Sequence, residues 1–261
     1  MADTGISVAV ITLNEADRIL KLLRSVGFAD EVVVVDSGSM DETVTLCRQA
    51  GAKVIAHDWE GYARQKQFAL EQAKGPWVLS LDADETVSEA LAVELVTAVA
   101  GSPPGTAGFS MPRLSRYLGR WIRHGGWYPD RKVRLVRKNR AHWTGDGLHE
   151  KLVVDGEVRA LKHDIFHDVY RNISDQVGTI DRFSEVDATN RTPRGGWFVW
   201  LGVLHAVGKF AECYIWKGGV LDGVPGVVIA MNSSWYVFLK HAKRWEKNLD
   251  DSDTGPRSPA T

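Results

Sequence analysis

The segment Leu81-Asp82-Ala83-Asp84-Glu85 closes an apolar run that begins at Trp77. Taken as the end of a strand, it sets two carboxylates on one face, because alternate residues share a face. Two such groups repel each other unless a cation or ligand hydroxyls lie between them. A pair of this kind suits a hard divalent cation that is shared with phosphate oxygens. A solvated turn is the plainer account, since Asp is common where strands end. Leu13-Asn14-Glu15 and Asp36-Ser37-Gly38-Ser39 are further polar segments that directly follow apolar runs. Two more carboxylates stand among basic residues: Asp130 in Tyr128-Pro129-Asp130-Arg131 and Glu150 in Leu148-His149-Glu150-Lys151. Each either forms an ion pair with those neighbours or serves as a proton acceptor.

The elements that must position these groups alternate between strand and helix. Residues 6–13 read as a strand, and residues 15–26 have helical spacing. Residues 31–36 contain four consecutive valines, as in a strand buried on both faces of a parallel sheet. A helix is expected from 39 to about 50, with Ser39 or Asp41 as its N-cap. Strand 53–56, helix 62–74, strand 77–81 and helix 88–100 follow. This order predicts an α/β, doubly wound, mostly parallel sheet with right-handed crossovers. Ligands bind such sheets beyond the carboxyl ends of the strands, where all three polar segments fall. Ser102-Pro103-Pro104-Gly105 marks a break, with strands expected at 108–113 and 132–136 and a helix at 173–192. Thr192-Pro193-Arg194-Gly195-Gly196 is a second break, and the polar tail after Asp250 is expected to be disordered.

At 261 residues the chain is long enough for one or two domains, and its net charge of −1 argues against a general nucleic-acid binder. Cys47 and Cys213 provide neither a disulfide framework nor zinc spacing, which fits a reduced, cytosolic setting. No secretory leader is expected ahead of the strand at Ile6. His163 and His167, with His149, suggest a metal site only if they share a helix face. Their local sequence reads as strand or loop, so that site is set aside. Tryptophan is abundant at 10 residues, five of them between Trp197 and Trp245. The choice there lies between a large aromatic core and a membrane-interface surface.

Val10-Ile11-Thr12-Leu13-Asn14-Glu15 and Val34-Val35-Asp36-Ser37-Gly38-Ser39-Met40-Asp41-Glu42-Thr43 resemble glycosyltransferase family 2, which has the GT-A fold. Gly61-Tyr62-Ala63-Arg64-Gln65-Lys66-Gln67-Phe68-Ala69 and Leu81-Asp82-Ala83-Asp84-Glu85 follow in the family's order. Later motifs, among them His124-Gly125-Gly126-Trp127, Arg134-Leu135-Val136-Arg137, Leu148-His149-Glu150 and Gly219-Val220-Leu221-Asp222-Gly223, look like its bacterial lipopolysaccharide core β-1,4-glucosyltransferase branch.

The resemblance implies an inverting, metal-dependent hexosyltransferase that uses a UDP-sugar, UDP-glucose for preference. Thr12, Asn14, Glu15, Asp36 and Ser37 would line the nucleotide pocket, with Arg64, Lys66 and Asp82 beside it. Asp84, with Asp82, would hold Mg2+ or Mn2+. Glu150 is the favoured base and Asp130 the alternative. Trp127, Tyr128, Arg131, Arg134 and His149 would face the acceptor, a lipopolysaccharide core or other lipid-linked glycan. Residues 1–170 would form the transferase domain (1–101 the nucleotide-sugar half, 106–170 the acceptor half), 171–247 a helical region and 248–261 the tail. Two alternatives stay open: a sugar-nucleotidyltransferase, disfavoured by a first loop without glycine, and a non-catalytic sugar-nucleotide or glycan-binding module.

Neither apolar stretch between 197 and 239 is an uninterrupted run of the roughly 20 residues needed to span a bilayer. Aromatics bordered by Lys209, Lys217, Lys240, Lys243, Arg244 and Lys247 instead predict helices lying in the interface. The expected location is cytoplasmic, peripheral on the inner face of the cytoplasmic membrane.

Overall fold

A computed structural model describes residues 4–145, 150–192 and 194–253. Two units emerge: residues 1–115 with 129–168, and residues 116–128 with 169–261. The excursion 116–128, which the sequence places in the 1–170 domain, groups with the C-terminal helices.

In the first unit β1 (Ile6–Thr12) lies between β2 (Glu31–Asp36) and β4 (Trp77–Asp82), parallel to both. β3 (Lys53–Ala56) extends the parallel set beyond β2. Ile6, Val8, Val10, Val33, Val34, Val35, Val78 and Leu79 are fully buried, as expected for strands covered on both faces. The covering helices are α1 (Ile19–Ser25), α2 (Thr43–Gln49), α3 (Tyr62–Gln72) and α4 (Glu89–Ala100). α4 starts where the sequence predicts, with the Ser88 hydroxyl accepting from the Leu91 amide at 3.2 Å. α1 and α2 start about four residues late because their expected first turns serve the loops. Asn14 adopts a left-handed conformation (φ 55°) and the Glu15 amide donates to Thr43 Oγ1 at 2.8 Å. Ser39 turns toward Asp36, while Asp41 accepts from the Thr43 amide at 3.0 Å.

The sheet is mixed, with its parallel core in β1 to β4 and antiparallel pairings beyond β4. β5 (Glu85–Val87), β6 (Thr106–Tyr117), β8 (Asp130–Arg137) and β12 (Ile165–His167) complete the order β3-β2-β1-β4-β8-β6-β12-β5. No helix intervenes between β6 and β8, so β8 runs antiparallel to both β6 and β4. β9 (Ala141–Thr144) and β10 (Lys151–Val154) form a separate two-stranded ribbon, and β11 (Glu157–Ala160) pairs with β6.

The second unit contains the last residues of β6, paired with β7 (Arg120–Trp121), and three helices. These are α5 (Ile173–Thr189), α6 (Trp197–Ala211) and α7 (Val224–Asp253). Tyr117, Ile122 and Ile229 form a small buried core, with Trp127, Tyr170 and Val228 packed against it. Asp222, only 2 % exposed, accepts from the His124 amide at 2.9 Å and meets His124 Nδ1 at 3.0 Å. The glycine motif around Asp222 thus joins the His124-Gly125-Gly126 loop, and its carboxylate is structural. Gly226 permits that joint, since a Cβ there would stand 1.9 Å from the Gly219 carbonyl oxygen.

Candidate active site

Parallel register builds the first part of the site. Thr12 is paired with Asp36, and the Thr12 hydroxyl donates to Asp36 Oδ2 at 3.0 Å. The Gly38 and Ser39 amides donate to Oδ1 at 3.1 and 2.9 Å, and the Ser39 hydroxyl to Oδ2 at 2.5 Å. Gly38 supplies the positive φ (93°) that aims both amides inward. Asp36 is 4 % exposed and engaged by these donors, so a nucleobase would share it with the two hydroxyls. Asn14 Oδ1 holds the Met40 amide at 2.8 Å, which ties the first two loops together. Ser37 Oγ accepts from Gln65 Nε2 at 2.9 Å, and Gln65 Oε1 meets His57 Nδ1 at 2.9 Å.

Gln65 and His57 belong to this hydrogen-bond network, and the sequence reading missed both. The burial of Gln65, Lys66, Ala69 and Leu70 marks the inner face of α3, and a helical-face reading centred on Gln65 would have found it. Arg64 lies outside that face. It is exposed and lines a cleft of about 330 Å3 with His57, Phe68 and Trp143.

The acidic segment divides. β4 ends at Asp82 and Asp84 lies in the turn to β5, so strand alternation does not govern the pair. Asp82 Oδ1 is 2.7 Å from Lys66 Nζ, and Asp82 Oδ2 accepts from Arg134 at 2.5 Å. Burial raises the Asp82 pKa, but Arg134 and Lys66, with a smaller contribution from Arg113, outweigh it and hold the carboxyl far below its ordinary range. Burial likewise opposes the charge on Arg134, yet Asp82 and Glu85 keep its pKa above the usual value. Arg134, expected at the acceptor, is 5 % exposed, and its guanidinium is spent on Asp82 and Glu85. Lys66, which is also buried, meets Glu150 Oε1 at 3.1 Å and lies 4.8 Å over the Trp143 ring.

Glu85 also meets Arg113 at 3.1 Å, and Arg113 Nε donates to Asp130 at 3.0 Å. A chain of alternating charge therefore runs Glu150, Lys66, Asp82, Arg134, Glu85, Arg113, Asp130, Lys132. Asp130 pairs with Arg113 and Lys132 rather than with Arg131 or Arg134. Burial raises its pKa, but Arg113 and Lys132 bring it below the ordinary carboxylate value. Among the described residues Glu150 pairs with Lys66 rather than Lys151.

Asp84 has different company. His167 Nε2 stands 3.4 Å from its Oδ2 and Arg18 Nη1 3.5 Å. Ser115 Oγ lies 3.1 Å from His167 Nδ1, which fixes the ring and presents Nε2 to Asp84. An oxygen and an imidazole nitrogen at this spacing fit adjacent vertices around a divalent ion, which lie about 3 Å apart for ~2.1 Å metal–ligand bonds. Among the described residues no three His, Cys, Asp or Glu side chains gather into a fuller ligand set, so other ligands would come from phosphate or water. His167 had been set aside with His163, but the two part. His163 is exposed and pairs with Glu94 at 2.9 Å.

Of the other acceptor-side residues, Arg131 donates to the Leu161 carbonyl through both terminal nitrogens at 3.1 Å. Trp127 and Tyr128 belong to the second unit, where Arg123 lies 5.6 Å over the Tyr128 ring. His149 lies outside the described residues.

A mixed α/β sheet with polar loops at the carboxyl ends of its parallel strands lies beside buried cations and carboxylates. Residues 7–152 match the glycosyl transferase family 2 description, and the chain belongs to that family. It is 27% identical over 262 residues to the lipopolysaccharide core biosynthesis glycosyltransferase LpsC of Rhizobium meliloti (strain 1021), covering 95% of this chain and 97% of that one. An uncharacterized glycosyltransferase of Rickettsia felis is 48% identical over 91 residues, 34% of this chain and 32% of its own. Among solved structures, glucosyl-3-phosphoglycerate synthase from Mycobacterium tuberculosis, in complex with Mn2+, UDP and glucosyl-3-phosphoglycerate, matches at 25% identity. That match covers 42% of this chain and 44% of the other, with a TM-score of 0.36. The chain is therefore a glycosyltransferase with the family's GT-A fold, of the lipopolysaccharide type.

Proposed function

We propose that the protein transfers glucose, with inversion, from UDP-glucose to a lipopolysaccharide core or similar lipid-linked glycan. The observation that carries this reading is the Glu150–Lys66–Asp82 bridge, which ties a partly exposed carboxylate to the strand end bearing the donor-side acids. Glu150 takes the proton of the acceptor hydroxyl as its oxygen bonds to the anomeric carbon and the bond to diphosphate breaks. Asp130, held by two cations and with a depressed pKa, is the weaker base. Asp36 and Thr12 orient the nucleobase, and Arg18 offers charge to the departing phosphates. A divalent cation held by Asp84 and His167 would supply Lewis-acid neutralisation of that leaving group.

The second unit suits attachment to the inner face of the cytoplasmic membrane. Residues Trp197–Trp216 form a 20-residue helical stretch, long and apolar enough by length and composition to cross a membrane, with 17% of its most apolar window buried. This is more continuous than the sequence suggests, because α6 runs directly into a π-helical turn at Glu212–Trp216. Trp197, Trp200, Leu204, Val207 and Trp216 are all exposed. Lys209 and Lys217 close on Glu212 at 3.0 Å and 2.5 Å, and α7 continues through Lys240, Lys243 and Arg244. Exposed tryptophans bordered by cations favour a helix lying at headgroup depth over one that spans.

The test is release of UDP from UDP-glucose with Mn2+ present, with and without core oligosaccharide, together with flotation on anionic liposomes. Acceptor-stimulated release and co-flotation are expected. Release indifferent to acceptor would overturn the transfer assignment, and recovery only in the unbound fraction would overturn the membrane assignment.

A further inference from the structure

The second unit contains a cleft of about 210 Å3 that the transfer chemistry does not use. Its walls include Trp127, Tyr170, Phe183 and Tyr236, and its floor carries Gln176 and Asn232. Every lining side chain is uncharged, in a chain with 65 Asp, Glu, Lys and Arg residues (32 + 33). Gln176 is 4 % exposed. Its Oε1 accepts from the Tyr117 hydroxyl and from Asn232 Nδ2, each at 2.5 Å. The other polar atom of each amide, one donor and one acceptor, makes no further hydrogen bond among the described residues and is not sealed from solvent. Both atoms are free to meet a ligand hydroxyl in the cleft.

We propose that this cleft binds one neutral pyranose unit of the acceptor glycan, a reading that rests on the acceptor class given above. A pyranose has an apolar face of C–H groups that lies on aromatic rings. Its vicinal hydroxyls each donate and accept, which matches one free amide donor and one free amide acceptor. The volume is below the roughly 300–1,000 Å3 of pockets for drug-sized ligands, and suits one sugar ring. The uncharged lining disfavours a phosphate or an acidic sugar, whose desolvation would go uncompensated.

Saturation-transfer NMR on the full chain tests this with methyl β-D-glucopyranoside, its anionic counterpart methyl β-D-glucuronide, and decanoate as an acyl probe. Transfer to the neutral pyranoside, at least five-fold weaker to the glucuronide, is expected. Gln176→Glu keeps the side chain's length but removes its N–H donors. Phe183→Ala deletes an exposed wall residue with little risk to folding. Each should reduce the pyranoside signal at least five-fold, with thermal melting of Phe183→Ala unchanged. The proposal is overturned if the pyranoside gives no transfer, if Phe183→Ala leaves its signal intact, or if decanoate displaces it. UDP-glucose binding, measured separately by thermal shift, reports on the transferase site. Its failure with pyranoside binding intact would sink the donor assignment and leave the cleft standing.

Discussion

Replacing Lys66 with methionine removes the cation between Asp82 and Glu150 while retaining much of the side chain's volume. Lys66 has 6% of its side chain exposed, and its ammonium is 2.7 Å from Asp82 and 3.1 Å from Glu150. Removing one member of a buried pair commonly costs about 3–5 kcal/mol, because the remaining charge loses compensation. Asp82 keeps Arg134 and is 28% exposed, so the lower end applies. A loss of ~3 kcal/mol is more than a hundred-fold in the unfolding equilibrium, at about 1.4 kcal/mol per decade. The effect has a pH signature. The folded Asp82 pKa is depressed, so its stabilisation is present above the unfolded carboxylate value near ~3.9 and drains away as pH falls below it. Urea unfolding of both proteins at pH 7 and at lower pH should therefore show the largest gap at neutrality, narrowing in acid. A gap below about 0.5 kcal/mol at pH 7, typical of exposed pairs, would refute the reasoning.

Glu150→Gln should reduce acceptor transfer by at least about a hundred-fold, in the usual range for loss of a general base, while UDP binding persists. Asp130→Asn should have a smaller effect, and steady-state kinetics showing the reverse order would exchange their roles. Asp84→Ala and His167→Ala should each weaken Mn2+ binding, followed by electron paramagnetic resonance of the free ion, and the two should be non-additive because both would ligate one ion. Unchanged Mn2+ titrations in both variants would remove the cation from this position. Burial pushes the Tyr117 phenol up to about 12, aided by Tyr170. Because the folded value is raised, this stabilisation is complete below the unfolded value near ~10 and is lost as pH climbs toward 12. Alkaline absorbance titration should show a phenol that resists ionisation at pH 11 until the chain unfolds.

The central strands and their polar ends were legible because continuous valines and Asp-ended apolar runs leave a strong local pattern. The mixed half was less so. Strand direction there depends on the missing crossover helix between β6 and β8, which predicted elements do not reveal. At the site, Thr12 and Asp36 were readable as strand ends, and their hydrogen bond follows from register. Lys66 was visible as a cation near the pocket but not as a bridge, since Glu150 lies 84 residues away. Arg134 resembled an acceptor-side arginine because its partners, Asp82 and Glu85, are brought to it by strand pairing. His167 was missed because its meeting with Asp84 depends on the antiparallel register of the three-residue β12 with β5.

The chain enters the second unit at residues 116–128, leaves it, and returns only at 169. No single cut can therefore release an intact C-terminal unit. A fragment ending near residue 170 would keep Tyr117, Ile122 and Trp127 while losing Ile229, the residue they close around. During synthesis Ile122 also waits for Ile229, about a hundred residues later. At ~5–20 residues per second its aromatic surroundings stay unsealed for several seconds, a window in which a chaperone or the membrane itself would be the first surface to cover them.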